Sequence, residues 1–174
     1  MKTRDLLLFV AGMALAAGLP TPSPAAPKPA APDNVTVTFQ DPDNFTDVRE
    51  NQSNLTSTYY LDELRSSLQQ AAAPRLGAGQ KLVITVTDID LAGDNNFSSP
   101  DHIRIMKEIY APRVHLKFQL LGADGKVLKE GERKLRDPYY LQKIRMPAGS
   151  QDPLYFDKAM LMEWVRDEFK TKKS

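Results

Sequence analysis

Cysteine is absent from all 174 residues. That removes thiol nucleophiles, Cys-ligated zinc, iron–sulfur clusters and a lipid anchor on an N-terminal cysteine. Histidine is almost absent too. His102 falls in a loop-like stretch and His115 in a strand-like one, with no H-E-x-x-H pair. A zinc site built on these two would need carboxylates that no spacing supplies. The G-x-S-x-G nucleophile elbow, the P-loop and the dinucleotide fingerprint are all missing. Neither charge is in excess, with 23 basic and 22 acidic residues. This balance argues against a general binder of nucleic acid or of anionic membranes.

A long apolar run is present only at the start. Lys2 and Arg4 precede Leu6–Ala17, LLLFVAGMALAA, which is too short to span a bilayer as a mature helix. Ser23-Pro24-Ala25 follows with small residues suited to cleavage, and Ala14-Leu15-Ala16 is an earlier alternative. Residues 1–25 therefore read as a signal peptide, which sets the expectation of a periplasmic or secreted protein with no membrane span after cleavage. An uncleaved anchor is the competing reading, and it too puts the domain outside the cytoplasm. Losing Lys2, Arg4 and Asp5 leaves 21 residues of each charge. Prolines at 20, 22, 24, 27, 29 and 32 are separated mostly by alanine. With φ fixed and no N–H to donate, they predict an extended tether, of which residues 26–33 stay with the mature chain. Residues 34–174 then make one domain. At 41% apolar and 26% charged residues overall, the chain has ordinary globular composition.

Lys81–Asp94, KLVITVTDIDLAGD, is the most apolar and β-branched stretch of that domain. It predicts a central strand buried on much of both faces and stopped by Gly93-Asp94-Asn95-Asn96. Ahead of it, Val35–Phe39 alternates apolar and hydroxyl side chains and predicts a half-buried strand, ended by Asp41-Pro42-Asp43-Asn44. Tyr60, Leu61, Leu64, Leu68, Ala71 and Ala72 recur at helical spacing. They predict a helix from Tyr59 to about Arg75, capped by Thr56, Ser57 or Thr58. Beyond the central strand, Asp94–Pro112 reads as a long connection in which Ser99-Pro100-Asp101 opens a short helix through Ile103, Met106 and Tyr110. Arg113–Leu121 alternates, Gly122-Ala123-Asp124-Gly125 turns, and Lys126–Leu135 returns as a charged edge strand. Asp137–Pro153 is irregular. Leu154–Phe169 then sets Met160, Leu161, Trp164, Val165 and Phe169 on one helical stripe. The order strand, helix, strand, hairpin, helix predicts an α+β two-layer sandwich, a mixed four-stranded sheet with both helices packed on one face.

Asp88, Asp90 and Asp94 suggest calcium, but Ala92 occupies a ligand position and Ser99 stands where a bidentate Glu belongs. Glu108 and Glu130 are no better placed for acid–base work than other carboxylates. Lys126, Lys129, Arg133, Lys134 and Arg136 interleave with Glu130, Glu132 and Asp137, the pattern of a solvated edge. The N-x-S/T triplets at Asn34, Asn44, Asn51, Asn54 and Asn96 read as polar-loop composition. No catalytic, cofactor-binding or metal-binding residue is assigned, and no cofactor is expected. Phe97, Tyr110, Tyr139 and Tyr140 lie outside the regular elements and form the expected interaction surface.

Four stretches together resemble a family of secreted bacterial proteins known as a domain of unknown function, DUF3016. They are VTFQDPDNFTDVRE, VTDIDLAGD, RVHLKFQLLGADGKVLKEGERKLRD and LYFDKAMLMEWVRDEF. The resemblance covers nearly the whole chain after the tether and implies a periplasmic location. Its motifs are structural in character and bring no catalytic residues with them. Taken with the residue-level reading, the expectation is a non-enzymatic envelope module that binds a protein partner or a cell-wall component. The alternative is a carboxylate-dependent envelope hydrolase.

Overall fold

The structure, a computed structural model, describes residues 32–49, 55–95, 104–143 and 152–170. The predicted signal peptide and most of the tether lie outside them. The first alternating stretch forms β1 (Val35–Phe39), burying Val35 and Val37 and exposing Thr36 and Thr38. Asp41 has φ 53°, the left-handed region that Asp tolerates better than most residues, and opens a 3-10 turn over Pro42–Asn44. Of the three candidate caps for α1 (Thr58–Ala72), Ser57 is the one used. Its hydroxyl accepts the Tyr60 N–H at 3.1 Å. Pro74 cannot continue the α-helical ladder, and the end tightens into a 3-10 turn, Ala73–Arg75.

The main sheet runs β1, β2 (Lys81–Asp90), β5 (Arg113–Leu121), β6 (Val127–Arg136). Two short strands, β3 (Asp94–Asn95) and β4 (Arg104–Ile105), pair separately. β1 lies parallel to β2 with Val37 opposite Ile84, and the other two pairings are antiparallel. A parallel pair needs a crossover, and α1 supplies it. One short helix, α2 (Tyr140–Lys143), and one long one, α3 (Tyr155–Glu168), complete the chain. Leu61, Leu64 and Leu68 of α1, Leu82, Ile84 and Val86 of β2, Leu116 and Phe118 of β5, and Leu161 and Trp164 of α3 share one core.

β2 is central, but it is buried on one face only. Leu82, Ile84, Val86 and Ile89 go under the helices, whereas Val83, Thr85 and Asp88 stay half-exposed. Both long helices lie on the same side, so nothing among the described residues covers the other. The spacing from Val86 to Ile89 breaks the two-residue period, and the sheet answers with a bulge. Val86 pairs with Leu116 and Asp88 with His115, leaving Thr87 as the extra residue. Without that insertion Ile89 would face water and Asp88 the core.

β6 holds α3 in place. Phe118, Trp164 and Phe169 meet edge to face with centroids 5.5–5.9 Å apart. Glu168 receives Arg133 at 2.8 and 2.9 Å and Lys129 at 2.6 Å, and the Trp164 indole N–H reaches it at 3.3 Å. The Arg133 guanidinium also lies 5.2 Å from the centre of the Phe118 ring. Gly131 makes room for it, because a Cβ there would stand 2.8 Å from Arg133 Nη1. Two of the basic residues on the edge strand are thus helix anchors. At the opposite edge, Gln69 and Arg65 donate to the outward carbonyls of Val35 at 3.0 Å and Val37 at 3.4 Å, blunting β1 as a template for pairing. Among the described residues no helix is long and apolar enough to cross a membrane.

Candidate functional site

The chain does its least regular folding where β2 runs out. Residues 46–49 take over the place of β1 beside it: Asp47 N–H donates to Ile89 O at 2.8 Å, and Leu91 N–H donates to Asp47 O at 3.2 Å. Gly93 then turns the chain with φ 79°. A Cβ there would come within 2.8 Å of Ile105 O and of Met106 Sδ, so both the backbone conformation and the close approach require glycine. β3 leaves, β4 returns, and Gly93 N–H donates to Tyr110 O at 2.9 Å to close the ribbon against the start of β5.

Arg104 ties this ribbon to the sheet. Its Nη1 donates to Gly93 O at 3.0 Å and Ala92 O at 3.3 Å, while Nη2 lies 2.9 Å from Asp47 Oδ2. Asp157, in the first turn of α3, accepts the Ala92 N–H at 2.9 Å. Its side chain is fully buried and its second oxygen has no hydrogen-bond partner. Burial pushes its carboxyl up, to about 7, against the Ala92 N–H and the Arg104 charge, and the Asp47 carboxylate adds to the rise. Tyr140 packs edge to face on Phe156 with centroids 4.8 Å apart, and its hydroxyl donates to Lys107 O at 3.0 Å. Gln142 reaches Glu108 at 3.0 Å. The two irregular segments of the sequence therefore meet here.

On the surface of this junction is a groove of about 340 Å³, lined by Thr46, Asp47, Arg49, Asp90, Gly93, Asp94, Ile109, Tyr110 and Arg113. Arg113 is paired with Asp90, and Asp47 with Arg104. Arg49 and Asp94 make no ion pair or side-chain hydrogen bond among the described residues, so the groove carries one uncompensated charge of each sign. Ile109, 74% exposed, forms an apolar part of its wall.

A family model described as "Protein of unknown function (DUF3016)" matches residues 33–167. The chain belongs to the DUF3016 family. No curated protein matches the sequence of this DUF3016 chain. A solved structure described as "Crystal structure of uncharacterized protein" is 14% identical to it, covering 79% of this chain and 77% of that one, with a TM-score of 0.33.

The aromatic residues expected to form a surface in the DUF3016 chain separate. Tyr110 lines the groove and Tyr139 is exposed, whereas Tyr140 is buried and Phe97 lies outside the described residues. The short helix expected through Ile103, Met106 and Tyr110 does not form over residues 104–110. Arg104–Ile105 pairs with β3 instead, with the Arg104 side chain held by Gly93 O, Ala92 O and Asp47, while Met106 packs against the cluster that includes Tyr140 and Phe156. Asp88 accepts from the Thr46 N–H at 2.8 Å and its hydroxyl at 3.0 Å. With Asp90 on Arg113, two of the three carboxylates of the calcium reading point to different partners, and the described residues hold no group of three arranged for a metal. Arg104, Arg49, Asp47 and Asp157 were the residues sequence reasoning passed over. For Asp157 a signal existed, since it sits three, four and seven positions before Met160, Leu161 and Trp164, on the apolar stripe itself.

Proposed function

We propose that this protein is exported and acts in the periplasm or beyond as a non-enzymatic binding module, holding a protein partner or cell-wall component at the groove beyond the end of β2. The basic start, the short apolar run and the proline-rich tether support export. Arg49 and Asp94 carry the binding reading: they are charges of opposite sign on one concave surface, and no side chain among the described residues pairs with either. A hydrolase would need two carboxyls facing a shared space, one of them kept protonated. The carboxyl held up to about 7 is Asp157, which is wholly buried and does not line the groove. Of the three carboxylates that do line it, Asp47 and Asp90 are already paired with arginines, which leaves Asp94 without a second carboxyl to work with.

Affinity capture from intact envelope tests this. The full mature chain is compared with a double variant, Arg49→Ala with Asp94→Asn. The expected result is a specific envelope protein or wall fragment retained by the natural chain and lost by the variant. Equal retention by both, or nothing specific on either, would overturn the reading. Residues 1–33 fused to a reporter that is active only outside the cytoplasm are expected to give an active reporter.

A further inference from the structure

We infer that the groove is a site for a small zwitterion, a single amino acid or a dipeptide with free termini. The inference deepens the binding reading above and rests on it. Size sets the first limit, because about 340 Å³ lies at the low end of the range for small-molecule sites and leaves room for one or two residues of peptide. Charge sets the second. A site for an anion would leave Asp94 facing like charge, and a site for a cation would do the same to Arg49. A ligand carrying both a carboxylate and an ammonium group satisfies the two at once, the carboxylate on the Arg49 guanidinium and the ammonium on Asp94. Ile109 and Tyr110 supply the apolar wall against which a ligand side chain rests. The backdrop is fixed before the ligand arrives. Asp90 is held by Arg113, Asp47 by Arg104, and Gly93 by Tyr110 O, so little ordering remains to be done on binding.

Titration of the purified mature chain by amide NMR tests the site with alanine, alanyl-alanine, N-acetyl-alanyl-alanine and alanyl-alanine amide as probes. Alanine or alanyl-alanine is expected to shift the Gly93 and Tyr110 amides, and the tighter of the two gives the length of ligand the groove takes. Blocking either terminus is expected to weaken binding by about ten- to a hundredfold, the usual effect of losing a hydrogen bond to a charged group. Arg49→Ala removes the discrimination against the amide, and Asp94→Asn removes that against the acetylated peptide. Both side chains are at least partly exposed, so the two variants keep the melting temperature of the natural chain. Equal binding of all four probes, binding by none, or discrimination that survives in both variants would overturn the zwitterion site. Should that happen while the envelope capture still depends on Arg49 and Asp94, the ligand class falls and the binding module stands.

Discussion

Asp157 and Glu168 sit at opposite ends of α3, and the helix treats them in opposite ways. Burial works against the charge of Glu168 too, but hydrogen bonds from Arg133 and Lys129, with their charges, outweigh it and hold the carboxyl down to about 2. Complete burial of Asp157 outweighs its backbone N–H partners and the charge of Arg104, and it is driven up to about 7. At the Glu168 end every group agrees with its neighbours: three aromatic rings, two cations and one carboxylate close a rim. At the Asp157 end a costly buried acid props the ribbon that shapes the groove. Local inconsistency of that kind is tolerated where a site needs it, and the molecule keeps it at one end.

The largest effect belongs to the consistent end. Trp164→Ala is expected to cost about 3–5 kcal/mol of stability in denaturant unfolding, since the ring is buried between Phe118 and Phe169. A loss under about 1 kcal/mol would mean that this end is not the scaffold.

Asp157→Asn comes next and sharpens the contrast. The folded carboxyl lies above its unfolded value of 3.8. Between about pH 4 and 7 the folded chain therefore keeps a proton that the unfolded chain has lost, and its contribution to stability falls as pH rises through that window. Asparagine still accepts the Ala92 N–H and never ionises. The variant is expected to match the natural chain near pH 4 and exceed it at pH 8 by up to about 4 kcal/mol. Unfolding curves at the two pH values read this directly, and parallel curves would break the comparison.

Glu168→Gln should cost less, about 1–3 kcal/mol at neutral pH, by leaving Arg133 and Lys129 without their counter-charge. Here the sign is reversed. A depressed carboxyl stabilises above its unfolded value of 4.5 and loses that contribution as pH falls through about 2, so the variant and the natural chain should converge in strong acid.

The consistent end is also the legible one. β1 begins and ends at the residues its alternation marks, Val35 and Phe39. The hairpin turns at Gly125, φ 78°, within the turn the sequence announces. Local pattern decides these elements, and their partners are the neighbours that pattern implies. The break between Val86 and Ile89 was in the sequence as well, as a lapse in period that becomes a bulge. Residues 104–112 are different. Their course depends on Arg104 meeting Asp47, on Tyr140 reaching Lys107 and on Gly93 bonding Tyr110, contacts that join distant parts of the chain. A helical spacing of Ile103, Met106 and Tyr110 carried no information about those partners. Arg49 was equally invisible, and Asp94 stood out only as one of three carboxylates in a calcium pattern, because a charge without a partner among the described residues is recognisable only once the paired ones are known.

The division of labour between the two ends is tested most directly by a photo-crosslinking side chain placed at Ile109 beside the groove and, separately, at Val127 on the hairpin, both positions being solvent-exposed. In cells, Ile109 is predicted to capture a discrete envelope component, and to lose it when Arg49 and Asp94 are neutralised, while Val127 captures none. Equal labelling from both positions, or labelling from Val127 alone, would contradict the assignment of function to the groove.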